Sequence, residues 1–154
     1  GAGSEVPSAA GAMTPGLVQT DPPRLPPGPW RVLLAHALRL IDELHAHGLS
    51  DPFWTLGGGT VPMFRYRHRR SKDIDIFVPD PQYLGHVTPR LSDVAESIAS
   101  DYVEGAGYVK LLRPEGEIDF IASPNLTDTP YDLWRVLRRP ARIETAAEII
   151  AKKL

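Results

Sequence analysis

From Pro29 onward the apolar residues Trp30, Leu33, Leu34, Ala37, Leu38, Ile41 and Leu44 recur at intervals of three and four, and Gly48 is a fitting stop. The spacing predicts a helix over about 29–47. Phe53-Trp-Thr-Leu56 is a short apolar run closed by three glycines, and Pro62 suits the first turn of a helix reaching about Arg67. That segment reads as strand, tight turn and short helix. Asp73-Ile-Asp-Ile-Phe-Val78 alternates acidic with apolar residues and stops at Pro79-Asp-Pro81, as a strand with one polar face does. Helical material is expected over about 81–99 with a break near Pro89. Strands follow at 101–105, 108–112 and 117–122, joined by glycine-containing turns. Ile143 is the candidate end of one more strand. Thr145-Ala-Ala-Glu148 has capping-box spacing ahead of Ile149 and Ile150, so a helix is expected to begin there.

Residues 1–28 hold much of the proline and glycine and show neither period, so they read as a flexible arm, with 1–12 as an expression scar before Met13. Residues 29–154 are expected to form one domain of ordinary size, ending inside its last helix and so truncated at the C-terminus. Apolar content of 42% and charged content of 23% are those of a globular protein. No stretch approaches a membrane span, and no secretory signal is visible, which points to the cytoplasm. The absence of cysteine excludes disulfides and thiolate metal sites, so any metal sits on oxygen or imidazole. A net charge of −2 gives no global pull on nucleic acid and leaves the local distribution to decide.

Side chains alternate along a strand, so Asp73 and Asp75 share one face, about 7 Å apart, while Ile74 and Ile76 point into the core. Two carboxylates in one small volume repel unless a divalent cation neutralises them, and oxygen ligands favour Mg²⁺ or Mn²⁺. A solvated strand face is the commoner outcome for an isolated Asp-x-Asp. Two further elements change the balance here. Gly57-Gly58-Gly59 before a predicted helix lets backbone N–H groups approach an anion such as a triphosphate, although the spacing is neither Rossmann nor P-loop. Glu117-Ile118-Asp119-Phe120 again alternates acid with apolar, and places Asp119 beside the first two acids if its strand neighbours theirs. Glu117 is the weaker candidate. Ser71 either bonds a phosphate, accepts one itself, or bonds backbone in the loop before the strand.

Leu56-Gly-Gly-Gly-Thr60, the run from His68 to Phe77, Ile118-Asp-Phe120 and the run from Glu144 to Leu154 together resemble the nucleotidyltransferase superfamily related to DNA polymerase beta. Within it they are similar to the AbiEii/AbiGii-type toxin family, which includes the MenT toxins. The resemblance covers the chain from about residue 30. It implies an α/β (α+β) nucleotidyltransferase fold, with a small mixed sheet carrying the acids and helices packed against it. Carried over residue by residue, it implies that Gly58, Gly59 and Thr60 hold phosphate and that Asp73, Asp75 and Asp119 bind metal and catalyse; Ser71, two residues before Asp73, joins the nucleotide-binding candidates by its position. Lys153, or in second place Lys152, would contact the nucleotide.

The expected activity is therefore Mg²⁺- or Mn²⁺-dependent transfer of a nucleotidyl group from an NTP to a hydroxyl on RNA such as tRNA, or on a protein. The resemblance also implies a toxin with a cognate antitoxin as partner. Two rivals stand beside this expectation: a truncated or degenerate NTP- and metal-binding module acting through a protein partner, and a nucleotidyltransferase acting on a small molecule. Arg65, Arg67, His68, Arg69 and Arg70 before the acids, and Arg135, Arg138, Arg139 and Arg142 later, suit a triphosphate or an RNA backbone. A solvated face is the plainer alternative for the second run. Trp54, Tyr66 and Trp134 suit core packing better than base stacking.

Overall fold

The computed structural model describes residues 25–48, 53–66 and 73–154. Its elements in chain order are α1 (Trp30–Ala46), β1 (Thr55–Gly57), α2 (Thr60–Tyr66), β2 (Ile74–Val78), a 3-10 helix (Pro81–His86) and α3 (Asp93–Ile98). There follow β3 (Asp101–Gly105), β4 (Tyr108–Arg113), β5 (Gly116–Ala122), β6 (Tyr131–Val136), β7 (Arg139–Glu144) and α4 (Ala146–Lys153). The seven described strands form one mixed sheet in the order β3-β4-β5-β2-β1-β7-β6. The β2–β5 and β1–β7 pairs are parallel and the rest antiparallel.

The periodic residues of α1 do what their spacing requires: all seven are buried, with Leu40 beside them. Pro29 offers no side-chain cap, and Trp30 Nε1 instead donates to the Pro26 carbonyl at 3.0 Å, fixing the chain's approach to the helix. Ile74, Ile76, Val78, Ile118 and Phe120 form the face of β2 and β5 that this core covers. Each such buried side chain contributes roughly 1.5–3 kcal/mol. Trp54 and Trp134 are core residues, and Trp134 stacks on Phe64 with ring centroids 6.4 Å apart. The helical material over 81–99 divides as expected around Pro89. Asp80 accepts from Gln82 N–H to start the 3-10 helix, and Ser92 accepts from Ala95 N–H to cap α3.

The opposite face of β2, β4 and β5 carries Asp75, Phe77, Lys110, Leu112, Glu117 and Asp119, none of them fully buried. Helix α1 covers the apolar face, and the acids stand on the other, which α4 meets where Lys152 lies over the Phe77 ring.

Two features depart from the sequence expectations. Residues 131–144 form a complete β6–β7 hairpin where only a strand end near Ile143 was expected. Its turn holds Leu137 at φ 49° and Arg138 at φ 67°, both left-handed and neither glycine. That geometry is a type I′ turn without the Asn-Gly pair that normally signals it. Thr145 caps α4 by accepting from Glu148 N–H at 3.2 Å, but the Glu148 carboxylate does not return the bond to the cap. It accepts instead from Leu126 N–H at 2.8 Å and from the Thr127 N–H and hydroxyl at 2.9 and 2.7 Å, and it pairs with Lys152 at 3.3 Å. Burial alone would raise its pKa; these partners outweigh that and hold it below the usual glutamate value.

Arg138→Gly should raise stability by about 1 kcal/mol, the rough cost of one left-handed non-glycine residue, as read by urea unfolding. Glu148→Ala, which strips a buried ion pair of one partner, should lower stability by about 3–5 kcal/mol in the same measurement.

Candidate active site

The site is built on strand register. Asp75 of β2 lies directly opposite Asp119 of β5, and Asp119 lies opposite Lys110 of β4. On the other side Asp75 is opposite Gly57 of β1, whose neighbour Leu56 pairs with Ile143, one residue before Glu144. Neighbouring strands are about 4.8 Å apart, so Glu144, Gly57, Asp75, Asp119 and Lys110 form one row across the polar face. Asp73 precedes β2 at an exposed position, and its Oδ1 accepts from Glu117 N–H at 3.2 Å. The Asp73 backbone carbonyl accepts from the Thr60 hydroxyl. Thr60 therefore ties the start of α2 to the start of β2, a structural task for a residue the sequence assigned to phosphate.

Two glycines make room for this row. A Cβ on Gly57 would collide with Glu144 Oε1 and with the Phe77 ring, and one on Gly58 would collide with Asp75 Oδ2. Gly58 also has φ +68°, a backbone that side chains oppose. Beside these glycines lies a cavity of about 290 Å³, lined by Gly58, Asp75, Phe77, Ile121, Glu144, Ile149, Lys152 and Lys153. Lys152 is the more enclosed of the two lysines. Its ammonium pairs with Glu144 and with Glu148, and sits 4.2 Å from the centroid of the Phe77 ring. Lys153, preferred on sequence, stands exposed at the cavity's rim. Glu144, which the sequence quoted without a role, is fully buried and accepts from the Thr55 hydroxyl at 3.1 Å.

The electrostatics follow from crowding. Burial, then the charge of Asp73, pushes the Asp75 carboxyl up to about 6, against a bond from Asp119 that favours its ionised form. Burial, then a bond with Glu117 and the charge of Asp75, pushes Asp119 up to about 8, while Lys110 pulls the other way. Asp119 is thus the acid that keeps a proton longest.

The row is also a test of whether a divalent cation fits. Among the described residues no three His, Asp or Glu side chains close into a ready-made metal cage. Asp75 and Asp119 meet, and Asp73 stands at the edge. Asp119 Oδ1 is nevertheless buried with no hydrogen-bond partner among the described residues, so it offers a lone pair and no competing donor. The donors are all oxygen, and the protons that crowding forces onto Asp75 and Asp119 are what a cation would replace. The residues fit a hard divalent ion such as Mg²⁺ or Mn²⁺.

Ser71, Arg67, His68, Arg69 and Arg70 lie outside the described residues, as do the side chains of Arg65 and Tyr66. The second basic run does not act as a unit. Arg139 pairs with Asp42 at 2.9 Å, whereas Arg142 lies 4.5 Å from the Phe53 ring centroid and 5.8 Å from that of Tyr131. No helix among the described residues is long and apolar enough to cross a membrane.

Carboxyls whose folded pKa is raised contribute stability that is full below their unfolded value near 3.8 and lost as pH climbs through about 6 for Asp75 and about 8 for Asp119. The metal-free melting temperature should therefore fall between pH 5.5 and 8.5 more steeply in the wild type than in Asp119→Asn. His36, lowered by burial and by Arg113, opposes the fall equally in both proteins, so their difference is the readout.

A sequence profile described as "Nucleotidyl transferase AbiEii toxin, Type IV TA system" matches residues 39–154, well over half of the chain. No curated protein matches it. Two solved structures are similar at low identity. A candidate nucleotidyltransferase from Thermotoga maritima is 12% identical with a TM-score of 0.45, covering 79% of this chain and 83% of its own. JHP933 from Helicobacter pylori is 17% identical with a TM-score of 0.39, covering 78% of this chain and 55% of its own. With the matched segment running from within α1 through the acids to α4, the chain belongs to the AbiEii nucleotidyltransferase toxin family.

Proposed function

We propose that this chain transfers an NMP from an NTP to an acceptor hydroxyl, on RNA such as tRNA or on a protein, in a reaction that needs Mg²⁺ or Mn²⁺, and that it acts as a toxin restrained by a cognate antitoxin. The observation that carries the reading is the placement of Asp75 opposite Asp119, in register, at the wall of the cavity that Gly58, Lys152 and Lys153 also line. Family membership supports the transferase class and the toxin–antitoxin setting.

In this reading Asp73, Asp75 and Asp119 hold the metal, which supplies positive charge for the triphosphate and for the leaving pyrophosphate. Gly58 and Gly59 let the phosphates come close to the backbone, and Thr60 holds the turn that presents them. Ser71, two residues before Asp73, is assigned to the phosphates as well. Lys153 at the rim binds the nucleotide, and Lys152, fixed by Glu144 and Glu148, keeps the inner wall in place. The Asp119 carboxylate takes the proton of the attacking hydroxyl as the new bond to the α-phosphorus forms and pyrophosphate departs. Catalysis of this kind is mostly positioning and charge, which a rigid sheet supplies well.

The protein, expressed from its whole natural reading frame, should label total RNA when incubated with Mg²⁺ and one of four α-labelled NTPs. Asp75→Ala should lower the rate at least about a hundredfold, as loss of a central electrostatic group does. Absence of label on RNA and on protein with every NTP would defeat the proposal.

A further inference from the structure

A second cavity, of about 320 Å³, opens where the end of α1, the 3-10 helix and the start of α3 come together. Its described lining residues are all different from those of the cavity beside the acids. His47 and His86 both line it, with ring centroids 5.0 Å apart and planes inclined at 42°. His47 directly follows α1, and its Nδ1 lies 2.9 Å from the Glu43 carbonyl oxygen. A carbonyl can only accept, so Nδ1 carries the proton and, in the neutral ring, Nε2 carries the lone pair. The Glu43 carboxylate stands on the same side, its Oε1 3.9 Å from Nδ1. Such outer partners are what fix the tautomer and orientation of a metal-bound histidine. Asp93, the first residue of α3, brings a second carboxylate to the cavity wall.

The ring separation has a chemical meaning. Zinc sits about 2.0–2.1 Å from an imidazole nitrogen, which puts each ring centre about 3.2 Å from the ion. Two imidazoles held at a tetrahedral angle then stand about 5.2 Å apart, centre to centre. His47 and His86 are thus already spaced as two ligands of one cation. The last carbonyls of α1 turn the negative end of the helix dipole toward the same place, and Glu43 and Asp93 add negative charge. We propose that His47 and His86 bind a divalent transition metal, with Zn²⁺ the best fit and water completing its shell. No third described side chain closes a cage around it, so binding is exchangeable and in the micromolar range. Imidazole nitrogen selects Zn²⁺ over Mg²⁺, whereas the carboxylates of the acid row prefer hard ions. The two sites therefore sort metals by ligand type. The bound ion ties the end of α1 to the 3-10 helix against which α1 already packs, and this role stands apart from the transferase reading.

The test uses the intact, tag-free protein, stripped of metal and held in excess Mg²⁺ so that hard-ion sites are filled. Calorimetric titration with Zn²⁺ should show one saturable site of micromolar affinity. His47→Gln and His86→Gln should each weaken it by at least about tenfold, the smallest effect seen even for an outer partner of a metal ligand. His45→Gln, which alters the neighbouring exposed histidine of α1, should leave it unchanged. Cu²⁺ bound in place of Zn²⁺ should show electron paramagnetic resonance splitting from two imidazole nitrogens, reduced to one in either variant. Zn²⁺ should also raise the melting temperature of the wild type by several degrees and leave that of His86→Gln where it was. Zinc affinity equal to that of the wild type in both His47→Gln and His86→Gln would overturn the site. So would a titration that never saturates, a copper spectrum without nitrogen splitting, or zinc binding that disappears in Asp75→Asn.

Discussion

Everything at the site depends on one enforced closeness, that of Asp75 and Asp119 held side by side by the parallel β2–β5 pair. Neither strand can relieve it, because their other faces bury Ile74, Ile76, Ile118 and Phe120 in the core beneath α1. The apolar half of each strand clamps the acidic half, and hydrophobic burial offsets a repulsion that two loops would avoid by moving apart. Protons carry the compensation in the metal-free protein, which is why both groups titrate above their ordinary range. A divalent cation would relieve the same closeness.

A second ionic arrangement secures the other wall. Glu144 ends β7, Glu148 and Lys152 lie on α4, and all three side chains are almost wholly enclosed. Glu148 also gathers the loop at Leu126 and Thr127. Buried ions of this kind often add little net stability, but they demand particular partners and so specify an arrangement. Here they fix how α4 lies beside the glycine turn, and with it where Lys153 stands. The two charge clusters differ in kind. The α4 cluster sets one ammonium between two carboxylates and adds neutral donors from Leu126 and Thr127, whereas Asp75 and Asp119 face each other across β2 and β5 with repulsion that protons relieve.

Much of this could be read from the chain because it is local. The three- and four-residue spacing of α1, the strict alternation of Asp73–Val78 and of Glu117–Ala122, and the glycine run each declare their element within a few residues. Asp119 was legible for the same reason, although its partner on β2 is 44 positions away. What escaped depends on contacts between distant segments. The β6–β7 hairpin turns on Leu137 and Arg138, residues that signal no turn, and its second strand includes Pro140. Glu144 looked like any acid before a helix cap, since its burial is caused by Thr55 and Lys152. Glu148 carried the spacing of a capping box but was recruited by a loop more than twenty residues upstream. Lys110 was silent because only the antiparallel β4–β5 register brings it to Asp119.

The alternation of β2 and β5 bears on folding as well as on chemistry. If either strand slipped by one residue against its neighbours, every side chain would change face, sending aspartates toward α1 and isoleucines into water. Burying an unpaired carboxyl in such a core costs several kcal/mol, a penalty that grows with each misplaced acid. The residues assigned to catalysis are therefore also sentinels of assembly, rejecting misaligned sheets before any substrate arrives. Selection for activity and selection for a single folded register would then act on the same few carboxylates, and neither could relax alone.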